Sequence, residues 1–577
     1  MKIASYKISD FSGGVRRDKS PLELQKNELL DARNVGIDER GRLKVRLGSQ
    51  QFGDTITGTI DNSFCFVRVT TGSAPTTQFL VNNTASTCVL SRLEGTRVTV
   101  AAVEGATSVT TNDSGGFAAS GVIEIDGDRI TYSSVAGGVF SGISASGITG
   151  VNMPHAVGAP VHQWATLAQS GTALNGRCGI YYAVLNNICF ISGAIRMKQY
   201  DGTTVSDVTS PGVIFLTNYR DRLYGAGDGG SGNDPRRISF SARGDGTSWA
   251  VSYASDFFDV EDQSGENISA LKVLNDRLGI FKTNSIWTYD EVELKQRIPN
   301  VGAYNQKVVQ EIDDGKIMTF CPEGVFITNL FSAKQVGDPV RQYWENFVPT
   351  YETTTKRVCN NTFAWTRHNS YLLFIGSITD PTTTAGVVLE YNTKTDSWTV
   401  HEGGFPNFFH ANEMHRFLFG DDNNLVERPA VFAGDTAGHI YRLNENTYYN
   451  TNISLKIGTN LYQDLYPVVI EGALPVSASF ETGLYDLTYP ELFKTFKNLR
   501  VITESGVWMV EYRVENETGI VSQYKNLGST KNQNCTLPFP SDAQGYRIGL
   551  RFSSVNVSSR NTFNGFVFED TEIKPRP

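Results

Sequence analysis

From Ile60 onward the chain repeats one pattern of apolar and polar positions. A short apolar strand leads into a turn rich in Gly, Asn or Asp, and a second strand ends on an aromatic residue. Copies read NNICFISGAIRMKQYDGTTV at 186–205, NDRLGIFKTNSIWTYDE at 275–291 and DGKIMTFCPEGVFITNLFSAKQVG at 314–337. Others lie within 220–251, 369–403 and 429–445, with a weaker one at 62–83. The units recur roughly every 40–55 residues, a period typical of propeller blades. One four-stranded blade cannot bury both of its faces. Stacking six or seven in a ring covers them, and closing the ring removes exposed edges. The pattern therefore predicts a β-propeller over 52–99 plus 164–446, with a run of ordinary sandwich hairpins as the competing reading.

Two regions break the period. Residues 100–163 are rich in Gly, Ser and Ala, and Val122, Ile123 and Ile125 answer Ile130 and Tyr132 around an Asp126-Gly127 hairpin turn. This predicts a small β module inserted into the propeller. Beyond Asn444 the strands lengthen, as in SASFETGLYDL, GVWMVEYRVE and YRIGLRFSS, and predict a C-terminal β-sandwich over 447–577. Within it, Lys494, Lys497 and Arg500 beside Phe493 and Phe496 read as cations snorkelling from a half-exposed strand.

Residues 1–51 read as a segment with a short helix and a strand pair. Ser20 and Glu23 form a capping box with Pro21 at the first helical position. Leu22, Leu24, Leu29 and Leu30 supply an apolar side, Asn34 ends the element, and Arg40-Gly41 makes the next turn. A second short helix is expected over 338–347, capped by Asp338 with Pro339 at its start. The fold class is all-β: a propeller, an inserted β module and a sandwich platform.

Composition narrows the function classes. The chain has 577 residues, 40% hydrophobic and 19% charged, which suits a globular protein of several domains. Neither an apolar leader nor a membrane-spanning apolar run is visible, so export and membrane insertion are not expected. Seven scattered cysteines without a C-x-x-C pair point to reduced, buried thiols made in a cytoplasm. A net charge of −9 without a basic tail argues against tight nucleic-acid binding, although a conduit must not grip what passes through it.

Candidate chemistry is sparse. His410 and His415, with Glu413, Asp421 and Asp422, form an H-x-x-E-x-H order that fits no zinc spacing and reads as a strand and its loop. His155 and His439 have no evident nucleophile partner. The run GAGDGGSGNDPRR at 225–237 lacks the lysine and helix of a phosphate cradle. ARGDGTSW at 242–249 partly resembles the sialidase Asp-box at Gly246, Ser248 and Trp249, and NTKTDSW at 392–398 is a second partial version. Such a box is a turn device and argues fold more than catalysis. Arg243-Gly244-Asp245 reads as a chance tripeptide. No spatial pairing of Asp256, Asp259, Glu261 or Asp262 can be read from sequence, as a glycosidase would require. No catalytic, metal or cofactor residue is assigned.

The segment FSGGVRRDKSPLELQKNELLDARNVGIDERGRLKVRLGS at 11–48 resembles the amino-terminal part of tail and head-completion proteins of tailed bacteriophages. GVIEIDGDRITYSSV in the insert resembles modules inserted in phage virion proteins. The order and size of the three parts, with NVGAYNQKVVQEIDDGKIMTFCPEGVFITN at 300–329, resemble tail nozzle proteins of short-tailed phages. These are also called packaged-DNA stabilisation or tail tubular proteins. The resemblance implies a non-enzymatic virion subunit, made in the host cytoplasm and assembled as a hexameric ring below portal and adaptor. The ring would extend the DNA channel, retain packaged double-stranded DNA without sequence-specific binding, and support needle and fibres or tailspikes. Two alternatives stand beside it: a receptor-binding or glycan-degrading virion propeller, and a tail hub or baseplate protein of a long-tailed phage.

Within that reading Phe11, Arg16, Arg17, Arg40, Arg42 and Arg46 are candidate assembly contacts. Their segment is too short to bury its own apolar face, and its arginines could pair with acidic neighbours. Removing residues 1–48 is expected to leave a folded monomer that no longer assembles. The insert at 100–163 is expected to be dispensable for folding.

Overall fold

The computed structural model describes residues 2–46, 48–69, 75–83, 88–147, 149–171, 180–192, 197–227, 234–249, 256–261, 264–312, 315–348, 362–367, 369–376, 386–402, 408–419, 426–445, 449–451, 474–531, 533–554 and 561–574. The fold is all-β. Among the described residues, helix is confined to two 3-10 turns, Gln306–Val308 and Asp338–Tyr343.

Five propeller blades stand as separate sheets. Four follow one another, from Tyr182–Leu185 to Val205–Val208, Phe215–Tyr219 to Phe257–Asp259, Ile268–Leu274 to Leu294–Pro299, and Gln310–Ile312 to Ala333–Gln335. The fifth joins Phe408–Phe419, Val426–Asp435 and Ile440–Glu445 to Gly48–Gln51 from the other end of the chain. Two further four-stranded units lie within larger sheets. One is Ile60–Arg68, Thr76–Asn83, Leu90–Val100 and Pro160–Thr166. The other is Thr362–Arg367, Ser370–Ile375, Val387–Asn392 and Ser397–His401.

Apolar side chains join neighbours around the ring. Phe66 and Leu80 pack with Ile180 and Tyr200, Phe190 with Leu223 and Trp249, and Tyr224 with Leu278 and Ile280. Phe363 and Phe374 pack with Ala411 and Tyr441, while Phe79 and Trp164 meet Phe432 where the last blade closes on the first. Burial between blades is the main stabilising term, at about 25 cal/mol per Å² of apolar surface. Three blades use the same two-residue turn between their first strands: Asn186-Asn187, Arg220-Asp221 and Asn275-Asp276, all at positive φ. Such turns match the strand twist, which explains the recurring Asn and Asp.

The insert has its own core. Ile123, Ile125, Ile130, Tyr132 and Phe140 cluster with Val98 and Val161. Its hairpin pairs Ile125 with Asp128 around Asp126 and Gly127, as the sequence pattern predicts. Its boundary needs correcting, because Pro160–Thr166 is a blade strand whose Trp164 belongs to the propeller core. The module proper lies between the paired strands Leu90–Val100 and Pro160–Thr166.

The platform is a sandwich made from both ends of the chain. Lys2–Ile8 pairs with Thr562–Lys574 in one sheet. In the other, Glu28–Arg33 pairs with Ala478–Thr482 on one side and meets Ser397–His401 of a blade on the other. Phe480, Trp508, Phe552, Phe563 and Phe566 fill the space between the sheets. The division at residue 51 is therefore corrected as well: Gly48–Gln51 is a blade strand, and the residues before it complete the sandwich.

The helix expected after Ser20 does not form. Half of the capping box exists, with Ser20 N–H donating to Glu23 Oε2 at 3.1 Å, while Glu23 N–H donates to the Ser20 backbone carbonyl at 3.0 Å. They close a turn and nothing more. Leu22 is exposed, whereas Leu29 and Ala32 are fully buried in the strand Glu28–Arg33. Sheet pairing and core burial override a weak local preference. Asp338 likewise does not cap: Gly337 holds that position, and no side chain caps the turn. Lys494 does not snorkel. It is buried, and its ammonium donates to the carbonyls of Tyr489, Leu492 and Tyr546 at 2.5, 2.8 and 2.8 Å.

Candidate functional site

The six candidate assembly residues occupy three environments. Phe11 is fully buried, with ring centroids 5.8 Å from Phe480 and 5.9 Å from Phe563. Arg46 is also buried, its Nε donating to Asn34 Oδ1 at 2.8 Å, and burial lowers its pKa to about 9. Both therefore serve the chain's own interior and are withdrawn as contacts with a neighbour.

Arg16, Arg17 and Arg42 already have acidic partners within the chain. Arg16 forks onto Asp18 at 2.9 and 2.7 Å, and Arg17 meets Asp31 at 2.9 Å. Arg42 bridges Asp38 at 2.8 Å and Glu504 at 2.9 Å, tying the strand pair to the sandwich. Arg40 sits on the exposed turn that Asp38 organises by accepting backbone N–H groups from Arg40 and Arg42. Arg40 is the member of the set best placed to reach another molecule.

Asn34 carries more of this region than any arginine. Its φ of 57° lies in the left-handed region. Its amide donates to the carbonyls of Glu402 and Ser477, each at 2.7 Å, and its Oδ1 accepts from Glu402 N–H at 3.0 Å as well as from Arg46. One side chain thus fastens the N-terminal segment to a blade and to the platform. Asn tolerates this backbone better than other non-glycine residues, which suits it to the position.

A buried ion pair links non-adjacent blades of the propeller. Lys307, on the 3-10 turn capped by Asn305, reaches across to the first unit and meets Asp61 Oδ1 at 3.2 Å. Asp61 Oδ2 accepts the Ile180 N–H at 2.9 Å. Burial lowers the Lys307 pKa, and Asp61 partly offsets that. His410 bonds Ser63 Oγ at 2.8 Å, and burial followed by the Lys307 charge holds it well below its usual pKa. Its role here is structural. Asp421 and Asp422 lie outside the described residues, as does the His415 side chain, and among the described residues no group of His, Cys, Asp and Glu could hold a metal ion.

The other sequence candidates also do structural work. His155 lies between Asp126 and Asp128 at 3.5 and 3.3 Å. His439 Nδ1 is 2.9 Å from Asp435 Oδ2. In the partial Asp-box, Asp245 accepts from Thr247 and Trp249 Nε1 donates to the Gly246 carbonyl at 2.8 Å, so the motif ties a hairpin. Arg243 of the tripeptide turn pairs with Glu291 at 2.9 Å. Asp259 is taken by Arg237 at 2.8 Å. Asp262 and the centre of the glycine run, 228–233, lie outside the described residues. Cys65, Cys88, Cys189, Cys321 and Cys535 are free thiols, while Cys178 and Cys359 lie outside the described residues. Burial pushes Cys88 up to about 12, which makes it inert.

A cavity of about 260 Å³ lies where the N-terminal strand pair, the blade ending at His401 and the last blade meet. Its wall includes Lys44, Arg46, Trp365, Arg367, Glu390 and His401. His401 Nε2 is 2.7 Å from Glu390 Oε2, and Ser370 Oγ donates to the other carboxylate oxygen at 2.7 Å. Burial would raise the Glu390 pKa, but the His401 and Ser370 contacts outweigh it and leave the carboxylate lowered. Sequence reasoning missed this constellation. Counting register back from the turn at 393–396 would have found it, since Glu390 opposes Thr399 and Val388 opposes His401 on one face.

No family profile and no curated protein matches the chain. Among solved structures, one similar chain is the extracellular domain assigned to a one component system of B. thetaiotaomicron. The identity is 12%, the match covers 90% of this chain and 58% of that one, and the TM-score is 0.34. The chain thus spans under two thirds of that structure's length, and so remote a likeness transfers nothing about function.

Proposed function

We propose that the chain is a structural subunit of a short-tailed phage tail nozzle. It assembles as a ring below portal and adaptor, extends the DNA channel, retains the packaged genome, and carries fibres, spikes or needle. The observation that carries this reading is the platform. The described residues of 2–46 and 478–574 interleave in one sandwich, with a blade continuous with one of its sheets, and the resemblance implies that N-terminal segment and platform together make the tube wall.

Charge and chemistry agree. Duplex DNA carries one charge per about 1.7 Å, so a strongly cationic wall would grip it and resist ejection. The chain's net charge is −9, and three of its N-terminal arginines are already paired with its own carboxylates. A closed ring repeats one heterologous interface, and the exposed Arg40 turn is a candidate part of it. Cryo-electron microscopy of the full chain mixed with its adaptor is expected to show closed rings, with no release of sugar from host polysaccharide. A monomer in the presence of adaptor, or hydrolysis of that polysaccharide, would count against the reading.

A further inference from the structure

The cavity beside His401 holds two buried polar atoms that no group among the described residues satisfies. Trp365 and His401 are each 3% exposed, and Trp365 Nε1 and His401 Nδ1 have no hydrogen-bond partner among the described residues. Both residues line the same space. Unsatisfied buried polar atoms are uncommon and costly, at about 1–3 kcal/mol each, so two on one wall call for an occupant.

The requirements of that occupant can be worked out group by group. An indole nitrogen only donates, so Trp365 needs an acceptor. The Glu390 carboxylate takes His401 Nε2 as the donor, and in the tautomer that carries its proton there Nδ1 is an acceptor that a hydroxyl or amine would satisfy. Lys44, Arg46 and Arg367 add three cations to the wall. Asp38 and Glu390 are the opposing charges, the first already bound to Arg42 and Lys44 and the second to His401 and Ser370. Burial works against the charged form of Arg46, and a bound anion would offset that cost.

We propose that this cavity is a binding site for a small hydroxylated anion, of which hydrogen phosphate is the simplest case and a sugar phosphate or hydroxy acid a fuller one. Its volume suits a ligand smaller than the usual drug-sized occupant. An anionic oxygen accepts from Trp365 Nε1, a hydroxyl donates to His401 Nδ1, and the cations balance the charge. The wall combines the N-terminal strand pair, a propeller blade and Leu443 of the last blade, so occupancy clips the N-terminal segment to the propeller. This site goes beyond the ring-forming reading and does not depend on it.

Titration calorimetry of the full chain at pH 7.5 and fixed ionic strength tests the site, with inorganic phosphate as probe and sulfate, which carries no hydroxyl at that pH, as comparison. Saturable phosphate binding is expected, at least tenfold tighter than sulfate. Trp365→Phe, which keeps the ring and removes the N–H, and Lys44→Met are each expected to weaken it about tenfold. Melting curves identify any variant that misfolds, and density in the cavity of the unaltered protein at millimolar phosphate gives a readout that needs no variant. No saturable binding, equal binding of sulfate, affinity unchanged in both folded variants, or an empty cavity would overturn the proposal.

Discussion

The insert and the platform are both small β layers attached to the propeller, yet they are attached in opposite ways. The insert enters and leaves through adjacent antiparallel strands, with Arg97 opposite Pro160, and closes its own core around Ile123 and Phe140. The platform core is completed by the chain's first residues, among them Ile8, Phe11 and Leu29. Phe11 sits among Phe480, Phe563 and Phe566, and Lys2–Ile8 lies along Thr562–Lys574. A module that brings its own core can be gained or lost. A layer knitted from both termini cannot, and that suits a part on which an assembly depends.

Deletions should show the largest difference. Removing residues 101–158 behind a Gly-Ser bridge is expected to leave a soluble protein with a cooperative melt, since lengthening or shortening such a loop costs about 0.6 kcal/mol per doubling. Removing 1–48, in contrast to the folded monomer the sequence suggests, is expected to give insoluble chain, because it takes out the strands Lys2–Ile8 and Glu28–Arg33 and so opens both sheets of the sandwich. Solubility and circular dichroism of the two products check this. A folded 1–48 deletion would break the comparison.

Asn34→Ala sharpens it at a single residue. The change leaves the Glu402 and Ser477 carbonyls and the Arg46 Nε without that partner and places alanine at a φ of 57°. A loss of about 3 kcal/mol is expected in urea unfolding followed through Trp508 in the platform core. A loss below about 1 kcal/mol would mean the knot is not holding the layers together.

The smallest effect concerns pH and belongs to the insert. Burial lowers the His155 pKa, but its bonds to Asp126 and Asp128 reverse this and raise it to about 8. A raised folded pKa stabilises fully below the unfolded value near 6.5, and that stability is lost as pH rises through about 8. The insert should therefore be stabler by about 2 kcal/mol at pH 6 than at pH 9. Once the intrinsic, base-catalysed exchange rate is divided out, the protection factors of the 121–132 hairpin should fall across that window, and in His155→Gln they should not.

Legibility in the sequence followed the distance between partners. The Asp126-Gly127 hairpin and the turn ending at Trp249 are fixed by neighbours a few residues away, and their patterns are visible. The leucines after Pro21 misled because their strand pairs with Ala478–Thr482 at the far end of the chain, a choice no local pattern records. Asn34 looked like the end of a helix, although its Ser477 partner lies 443 residues away. Lys307 and Asp61, 246 residues apart, could be paired only once the ring was closed. The N-terminal arginines invited an intermolecular role because their own carboxylates, Asp31 and Glu504 among them, come into reach only in the folded sandwich.

The most direct measurement is the native mass of the 101–158 deletion beside that of the full chain, each mixed with adaptor. The account predicts the same closed ring from both, because it proposes the platform as the assembling layer and the insert lies outside the platform. A ring from the full chain but monomer from the deletion would place assembly in the insert, and monomer from both would contradict the ring itself.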